Sequence, residues 1–589
     1  MNKLFLTILL FSISFFSFGQ IEIILEAGNP ATFESALNDI GSNRGTITIK
    51  RKVIVSSPTT VPENITLNFF NGGMLSMSTT LALNIEGNII SPLNPIFEFT
   101  LGVPVNHNLT IKNKNQTIYP EWFGTCTYQD SSITDDKNTI QTAINALEPG
   151  GEIVFKGNYT VNGPINITLN EAAIRIKGIG AYMYGSSSDD TNYIRNNTTG
   201  IDSPIFNISA YGIRLSDLNF RGKTKSNKGS GAVGRALNFV RANGSKDLDA
   251  AISNCMFVDF RTAIYGEGAN LKITDNTFTA SYMGVYINQA SRDTIGDASK
   301  ANTRGHIIDR NRFHSIGSNL PNDSLVGSTA IKILGTEPYT ALEELHLTNP
   351  TGTVKYFQDY AIRGYYNHIS NNYADDCKTF FYGTVDRTKI DGNSILLSGG
   401  TAINIYGGEH GAITNNLIDG SFRWNGNQLY YSGQEDLVPT GHGVQVEYAN
   451  FLTIHDNQIL NKRKHGIYII KSKNSSIQSN TIKNFNRHYH LASGLGGTQS
   501  NFDYPAQYDG IHIDCTTKVD GQGYNIQNIV TNNVIGIPLQ NVSARYGIYM
   551  GDGDSYGFLK DNFIVSARLV QPILIETPTG VCSSITEDN

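Results

Sequence analysis

The chain has 589 residues, of which 10% are aromatic, only 16% are charged and 58 are glycine. Its net charge of −6 argues against general nucleic-acid binding, which needs a basic footprint. Five scattered cysteines, Cys126, Cys255, Cys377, Cys515 and Cys582, show no CxxC or metal-like spacing, so no disulfide-stapled fold is expected.

Residues 1–19, MNKLFLTILLFSISFFSFG, place Lys3 before a run of Leu, Ile and Phe that ends in small residues, the pattern of a secretory signal peptide. The run is too short and wrongly flanked for a spanning helix, and no other stretch reaches about 18 apolar residues. A secreted protein without a membrane span is expected, extracellular, periplasmic or at the cell surface. Residues 20–116 read as a β-rich segment of short strands, such as 46–49 and 65–69, with Asn71-Gly72-Gly73 as a turn. Residues 139–147, with apolar positions 140, 143, 144 and 147, predict an amphipathic helix that starts near Asp135 or Asp136 and stops at Pro149-Gly150-Gly151. A short N-terminal helix of this kind covers the open end of a stack of repeats.

Together, YPEWFG (119–124), an Asp-rich turn, TIQTAINAL (139–147) and GGEIVFKGNYTV (150–161) resemble the opening segment of the pectate-lyase-like superfamily. The close match covers about residues 117–165, and a repeat pattern extends a looser likeness to about 570. The resemblance implies an all-β, right-handed, single-stranded parallel β-helix over 117–578, with a tail at 579–589. It implies carbohydrate as the ligand class, and the superfamily includes polysaccharide lyases, polygalacturonase-related hydrolases and phage tailspikes. By analogy it also implies a homotrimer as one assembly. The polygalacturonase motif order is not reproduced: Gly441-His442-Gly443 precedes Asp509-Gly510-Ile511, and no Arg-Ile-Lys follows. Those catalytic roles are therefore not carried over.

Two interleaved phrases mark the repeats. One is Asn, any residue, then an apolar one, beginning at 254, 276, 311, 393, 416, 457, 480, 533 and 562. Its tightest spacings are 22 and 23, the period of a coil of strands, and longer gaps are what loop insertions produce. The other phrase is a small residue followed by alternating apolar and polar places. It appears as Gly284-Val285-Tyr286, Ala330-Ile331-Lys332, Ala402-Ile403-Asn404, Gly443-Val444-Gln445, Gly466-Ile467-Tyr468, Gly510-Ile511-His512 and Gly547-Ile548-Tyr549. Each coil turn lies about 4.8 Å above the last, so equivalent places form columns.

With the small residue as place one, places two and four face inward, and places three and five face outward together. Place three reads Tyr286, Lys332, Asn404, Gln445, Tyr468, His512, Tyr549, and place five includes Tyr406, Glu447, Ile470 and Asp514. The residues before the small one, among them His442, His465 and Asp509, form a further polar stack whose direction the sequence leaves open, because Gly often breaks the alternation. Insertions at 419–441 and at 484–508, the latter with Arg487 and His488, emerge beside these columns, and Lys462-Arg463-Lys464 adds positive charge nearby. Rings and planar polar groups on one wall suit a sugar groove, and local positive charge suits an anionic polysaccharide.

Two chemistries fit the wall. The preferred one is β-elimination from a uronic-acid-containing chain. His512 or His465 is the base, and Tyr468 or Tyr549 the acid. Gln445, Arg487, or a divalent cation such as Ca2+ held by Glu447 and Asp514, neutralises the sugar carboxylate. Asn404, Tyr406, Lys464, Arg487, His488 and Tyr549 are expected to bind substrate. The alternative is inverting hydrolysis by Glu447 and Asp514, two rungs apart and so about 9.6 Å at the backbone. A non-catalytic carbohydrate-binding surface is the third reading.

Overall fold

The structure is a computed structural model. It describes residues 20–100, 106–179, 192–223, 232–240, 248–267, 270–288, 305–317, 328–334, 366–396, 398, 400–420, 441–462, 464–470, 472, 474–485, 508–514, 528–536, 544–551, 558–565 and 569–575. The chain divides into two compact units, Met1–Ile179 and Gly180–Asn589. The segment at 117–165 therefore belongs to the first unit, together with the N-terminal strands.

In the first unit the strands before residue 112 already coil. Ile21–Leu25, Gly45–Ile49, Ile65–Phe69 and Asn88–Ile90 form one parallel ladder, and two three-stranded ladders complete the turns. The helix Lys137–Asn145 lies where its apolar spacing puts it and buries Ile140, Ala143 and Ile144. Asp136 precedes it but does not cap it; its carboxylate accepts from Thr127 N and Thr160 N instead. A second helix, Phe33–Ile40, interrupts a region read as strands. Thr32 and Ser35 close its first turn as a capping box, and Phe33, Ala36 and Ile40 form its buried stripe.

The second unit is a parallel β-helix, the coil that the repeat spacing predicts, with the right-handed crossovers that parallel strands take. Every turn adds one strand to each of three parallel sheets. The third sheet carries Met283–Asn288, Ile331–Leu334, Phe381–Gly383, Ile403–Glu409, Val444–Asn450, Ile467–Ile470, Ile511–Asp514 and Ala544–Met550 in consecutive register. Inside, Phe220, Phe257, Phe278 and Phe313 stack with centroids 5.2, 4.9 and 4.8 Å apart.

The Asn phrase is an internal hydrogen-bond ladder at the corner between the first two sheets. Asn457 is fully buried. Its backbone N–H and its Nδ2 both donate to Asn480 Oδ1, and Nδ2 also donates to Ile413 O. The same pattern links Asn276, Asn311, Asn372, Asn393, Asn416, Asn480, Asn533 and Asn562. Buried amide groups are costly unless paired, so the ladder converts a repeated polar residue into a structural spine. Two details differ from the sequence reading. Asn372 joins the ladder, although Tyr373-Ala374 obscures its phrase. At 254 the register shifts by one: Met256 pairs with Thr277, so Cys255 holds the ladder place. Asn254 instead takes the left-handed corner position at φ 53. Cys255 is buried as expected, and burial pushes its thiol up to about 12.

Candidate active site

The site grows from one local rule on the third sheet. Tyr265, Tyr286, Lys332, Tyr382, Asn404, Gln445, Tyr468, His512 and Tyr549 pair one to the next without a break. Tyr406 and Glu447 are neighbours in the adjacent column, and Glu447 is separated from Asp514 by Ile470. Ile467, Ile469, Ile511 and Ile513 are fully buried between these outward places.

The glycines decide where the residue before them points. A Cβ on Gly466 would lie 2.4 Å from Ile482 Cγ2 in the core, and one on Gly510 would lie 2.5 Å from Ile535 Cγ2. Place one therefore faces inward, and so does the isoleucine after it. Two successive inward places break the alternation, which turns His442, His465 and Asp509 onto the same wall as place three. Gly466→Ala is expected to force that corner apart, at about 1–3 kcal/mol for an overpacked core, and to displace His465. A thermal melt together with a binding assay on this variant checks it.

On the wall, His442 and His465 stack with centroids 5.2 Å apart, and Tyr468 lies 4.7 and 5.0 Å from them. His512 sits 4.5 Å from His465 and 4.4 Å from Tyr549. Asp509, fully buried, is the anchor. His512 Nδ1 lies 2.6 Å from its Oδ2, and Arg545 Nε and Nη2 donate to Oδ1 and Oδ2 at 3.0 and 2.6 Å. Tyr546 N adds a bond to Oδ1 at 3.1 Å. Burial pushes the Asp509 carboxyl up, but the bonds from Arg545 and His512 outweigh it and hold it below the usual carboxylate range.

These contacts fix the tautomers. Arg545 Nη2 also lies 3.1 Å from His512 Nδ1, and both nitrogens converge on Asp509 Oδ2. An ionised carboxylate only accepts, so His512 Nδ1 carries a proton directed at Oδ2. His465 is the reverse. Asp509 N–H donates to its Nδ1 at 2.8 Å, so its proton sits on Nε2. Burial, then the neighbouring His442 and His512, hold His465 well below the ordinary histidine range. It is a neutral donor, which removes it from the choice of bases and leaves His512.

Burial does the same to His442, with the charges of Lys464 and Lys462 adding to it. Tyr468 is pushed up by burial and then by Asp514 and Glu447, so it stays protonated. The two depressed histidines set a pH dependence. The unfolded chain binds their protons below about pH 6.5 while the fold does not, so stability is full above that value and falls as pH drops. We expect stability to fall from pH 7 to pH 5 by up to about 1.4 kcal/mol per pH unit for each histidine, and Tm to decline with it. His442→Asn should flatten the decline in a melt series.

The expected residues divide as follows. Gln445, Tyr468, His465, His512, Tyr549, His442 and Asp509 share one wall, with Asn404, Tyr406, Glu447 and Asp514 continuing it. Arg487 and His488 lie outside the described residues. The expected basic turn is half corrected: Lys464 is partly exposed, but Lys462 is fully buried and donates to Ser398 Oγ and Gly400 O at 2.7 and 3.2 Å. Arg545 was missed. Its only signal is its place two residues before Gly547, and its partner lies a whole turn away.

His465, Asp509 and His512 bring potential metal-ligand atoms within 4.8 Å of one another. They do not suit a metal. The His465 Nδ1 lone pair is taken by Asp509 N–H, and the guanidinium of Arg545 already holds both carboxylate oxygens.

No protein-family model matches the chain, and no curated protein does. Solved structures are similar in fold. The Dettilon tailspike protein gp208 is 13% identical over 79% of this chain and 69% of its own, with a TM-score of 0.46. The PL6 family alginate lyase AlyGC is 14% identical over 74% of this chain and 52% of its own, also at 0.46. The A-module of the Azotobacter vinelandii mannuronan C-5 epimerase AlgE4 is 14% identical over 77% of this chain and 96% of its own, at 0.34. The architecture of this chain is a parallel β-helix, three long parallel sheets to which successive turns add their strands in order. Among the described residues, no helix is long and apolar enough to cross a membrane.

Proposed function

We propose that this protein is a secreted polysaccharide lyase that cleaves an anionic, uronic-acid-containing chain by β-elimination on the third-sheet wall. The observation that carries the reading is the Asp509–His512 pair, 2.6 Å apart, with Tyr468 beside it at 5.1 Å between ring centroids. His512 Nε2 takes the proton alpha to the sugar carboxylate. The C–H electron pair becomes a C=C bond, the bond from the beta carbon to the glycosidic oxygen breaks, and Tyr468 gives its hydroxyl proton to that oxygen. Solvent then returns the proton from the imidazolium to the tyrosinate. Charge on the substrate carboxylate grows as the alpha proton leaves, and the positive Arg545 with the Nε2–H of His465 faces that development. A divalent cation held by Glu447 and Asp514 is the other candidate for the same task; loss of activity on chelation favours the cation over Arg545.

One observation favours inverting hydrolysis as the second reading. Glu447 and Asp514 stand in one column with Ile470 between them, about 9.6 Å at the backbone, near the span of about 6.5–9.5 Å that inverting carboxylates use. A panel of anionic polysaccharides read by ultraviolet absorbance and by reducing ends separates the readings. Elimination gives both signals, hydrolysis gives reducing ends alone, and a binding protein gives neither.

A further inference from the structure

The third sheet gives way to the first at a corner, which the chain turns with a residue in the left-handed region. Asp249, Asn270, Gly305 and Asn474 turn it with a small side chain or none, at φ 41, 62, 74 and 55. Four turns depart from this habit. They place Tyr366, Arg387, His410 and Phe451 at the corner, at φ 60, 47, 55 and 54. Tyr366 N–H donates to Asp386 O, Arg387 N–H to Glu409 O and His410 N–H to Asn450 O, so the four stand one above another. This backbone suits Gly and Asn and strains a bulky side chain, Tyr and Phe above all. Strain kept over successive turns needs a reason, and such outliers cluster where a surface is used.

The four side chains form an exposed stack. The His410 and Phe451 rings lie parallel with centroids 5.0 Å apart, and Arg387 Nη1 donates to Tyr366 Oη at 2.7 Å. Tyr366 is 54% exposed and Phe451 46%, although large rings gain much from burial. Resting on the polysaccharide reading above, we propose that the corner stack of Tyr366, Arg387, His410 and Phe451 is a second, non-catalytic track for an anionic polysaccharide.

Chemistry and place both select that ligand. Rings stacked face to face along the coil turn their edges outward, and the edge is the positive rim of the aromatic quadrupole. The Arg387 guanidinium adds a planar fork of donors that matches a carboxylate. The track is also close to the wall. Phe451 follows Glu447 by four residues of extended strand, about 13 Å. From Tyr366 to Phe451 there are three register steps, about 14 Å, which run along the coil axis as the wall columns do. A neighbouring chain of the same polymer held there raises the local concentration of substrate at His512 without touching the reacting sugar.

Electrophoresis through native gels that contain polygalacturonate, alginate or, as the neutral polymer, hydroxyethylcellulose tests this. His512→Ala is the parent, so that polymer is bound and not degraded. It is compared with the same protein carrying Tyr366→Gly and Phe451→Gly. Glycine takes these φ values without strain, so Tm should hold or rise, which rings kept for the fold would not allow. The dissociation constant for the uronate polymer that retards the parent should rise at least 5-fold, and hydroxyethylcellulose should retard neither protein. Should the glycine pair fold poorly, Tyr366→Asn with Phe451→Asn takes its place, asparagine being the corner residue at 270 and 474. Equal retardation of both proteins by uronate polymer overturns the track and leaves the polysaccharide reading standing. Retardation by hydroxyethylcellulose as strong as by uronate overturns the anionic ligand and the track with it. A parent that no uronate polymer retards overturns both the track and the reading it rests on.

Discussion

Replacing Asp509 by asparagine is expected to lower kcat by about 10³-fold while KM stays nearly constant. The amide keeps the shape of the carboxylate but not its charge. His512 then has no anion to hold the proton on Nδ1, and Arg545 loses its bidentate partner. The imidazole is free to place its proton on Nε2, where the lone pair of the base must be. Because Asp509 acts through His512, the two losses should not add. The double variant Asp509→Asn with His512→Ala should be no slower than His512→Ala alone. Steady-state kinetics on the three proteins decides it, and a double variant slower by the product of the two losses would show that Asp509 acts independently.

His512→Ala is expected to cost about 10²–10⁴-fold in kcat, the range for removing a positioned general base. Its structural cost should be modest. The ring stacks on Tyr549 at 4.4 Å, and losing such a pair costs about 0.5–1.5 kcal/mol. A melt close to wild type with activity near background separates loss of chemistry from loss of fold. Full activity in a folded variant would remove His512 from the mechanism.

The coil and its outward columns were legible because side-chain alternation is local. Once Gly466-Ile467-Tyr468 and Gly510-Ile511-His512 are recognised as one phrase, Tyr468 must lie beside His512, and Glu447 two rungs from Asp514. What was not legible depends on contacts between turns. The direction of His465 and Asp509 follows from the core isoleucines that forbid a Cβ on the next glycine. Arg545 meets Asp509 only after 36 residues of chain. Tyr382 was hidden because Phe380 fills the place where other turns have a small residue, so the column between Lys332 and Asn404 looked broken. Lys462 illustrates the opposite error. A cationic triplet suggests a solvated turn, yet its first member is drawn inside by Ser398 and Gly400.

The chemistry on this wall reduces to a ratio that one cuvette can supply: moles of conjugated double bond formed per mole of new reducing end, on a uronate polymer that the wild-type protein degrades. β-Elimination at His512 predicts one double bond for each linkage cleaved. Reducing ends that accumulate with no matching ultraviolet absorbance would contradict it and transfer the reaction to Glu447 and Asp514.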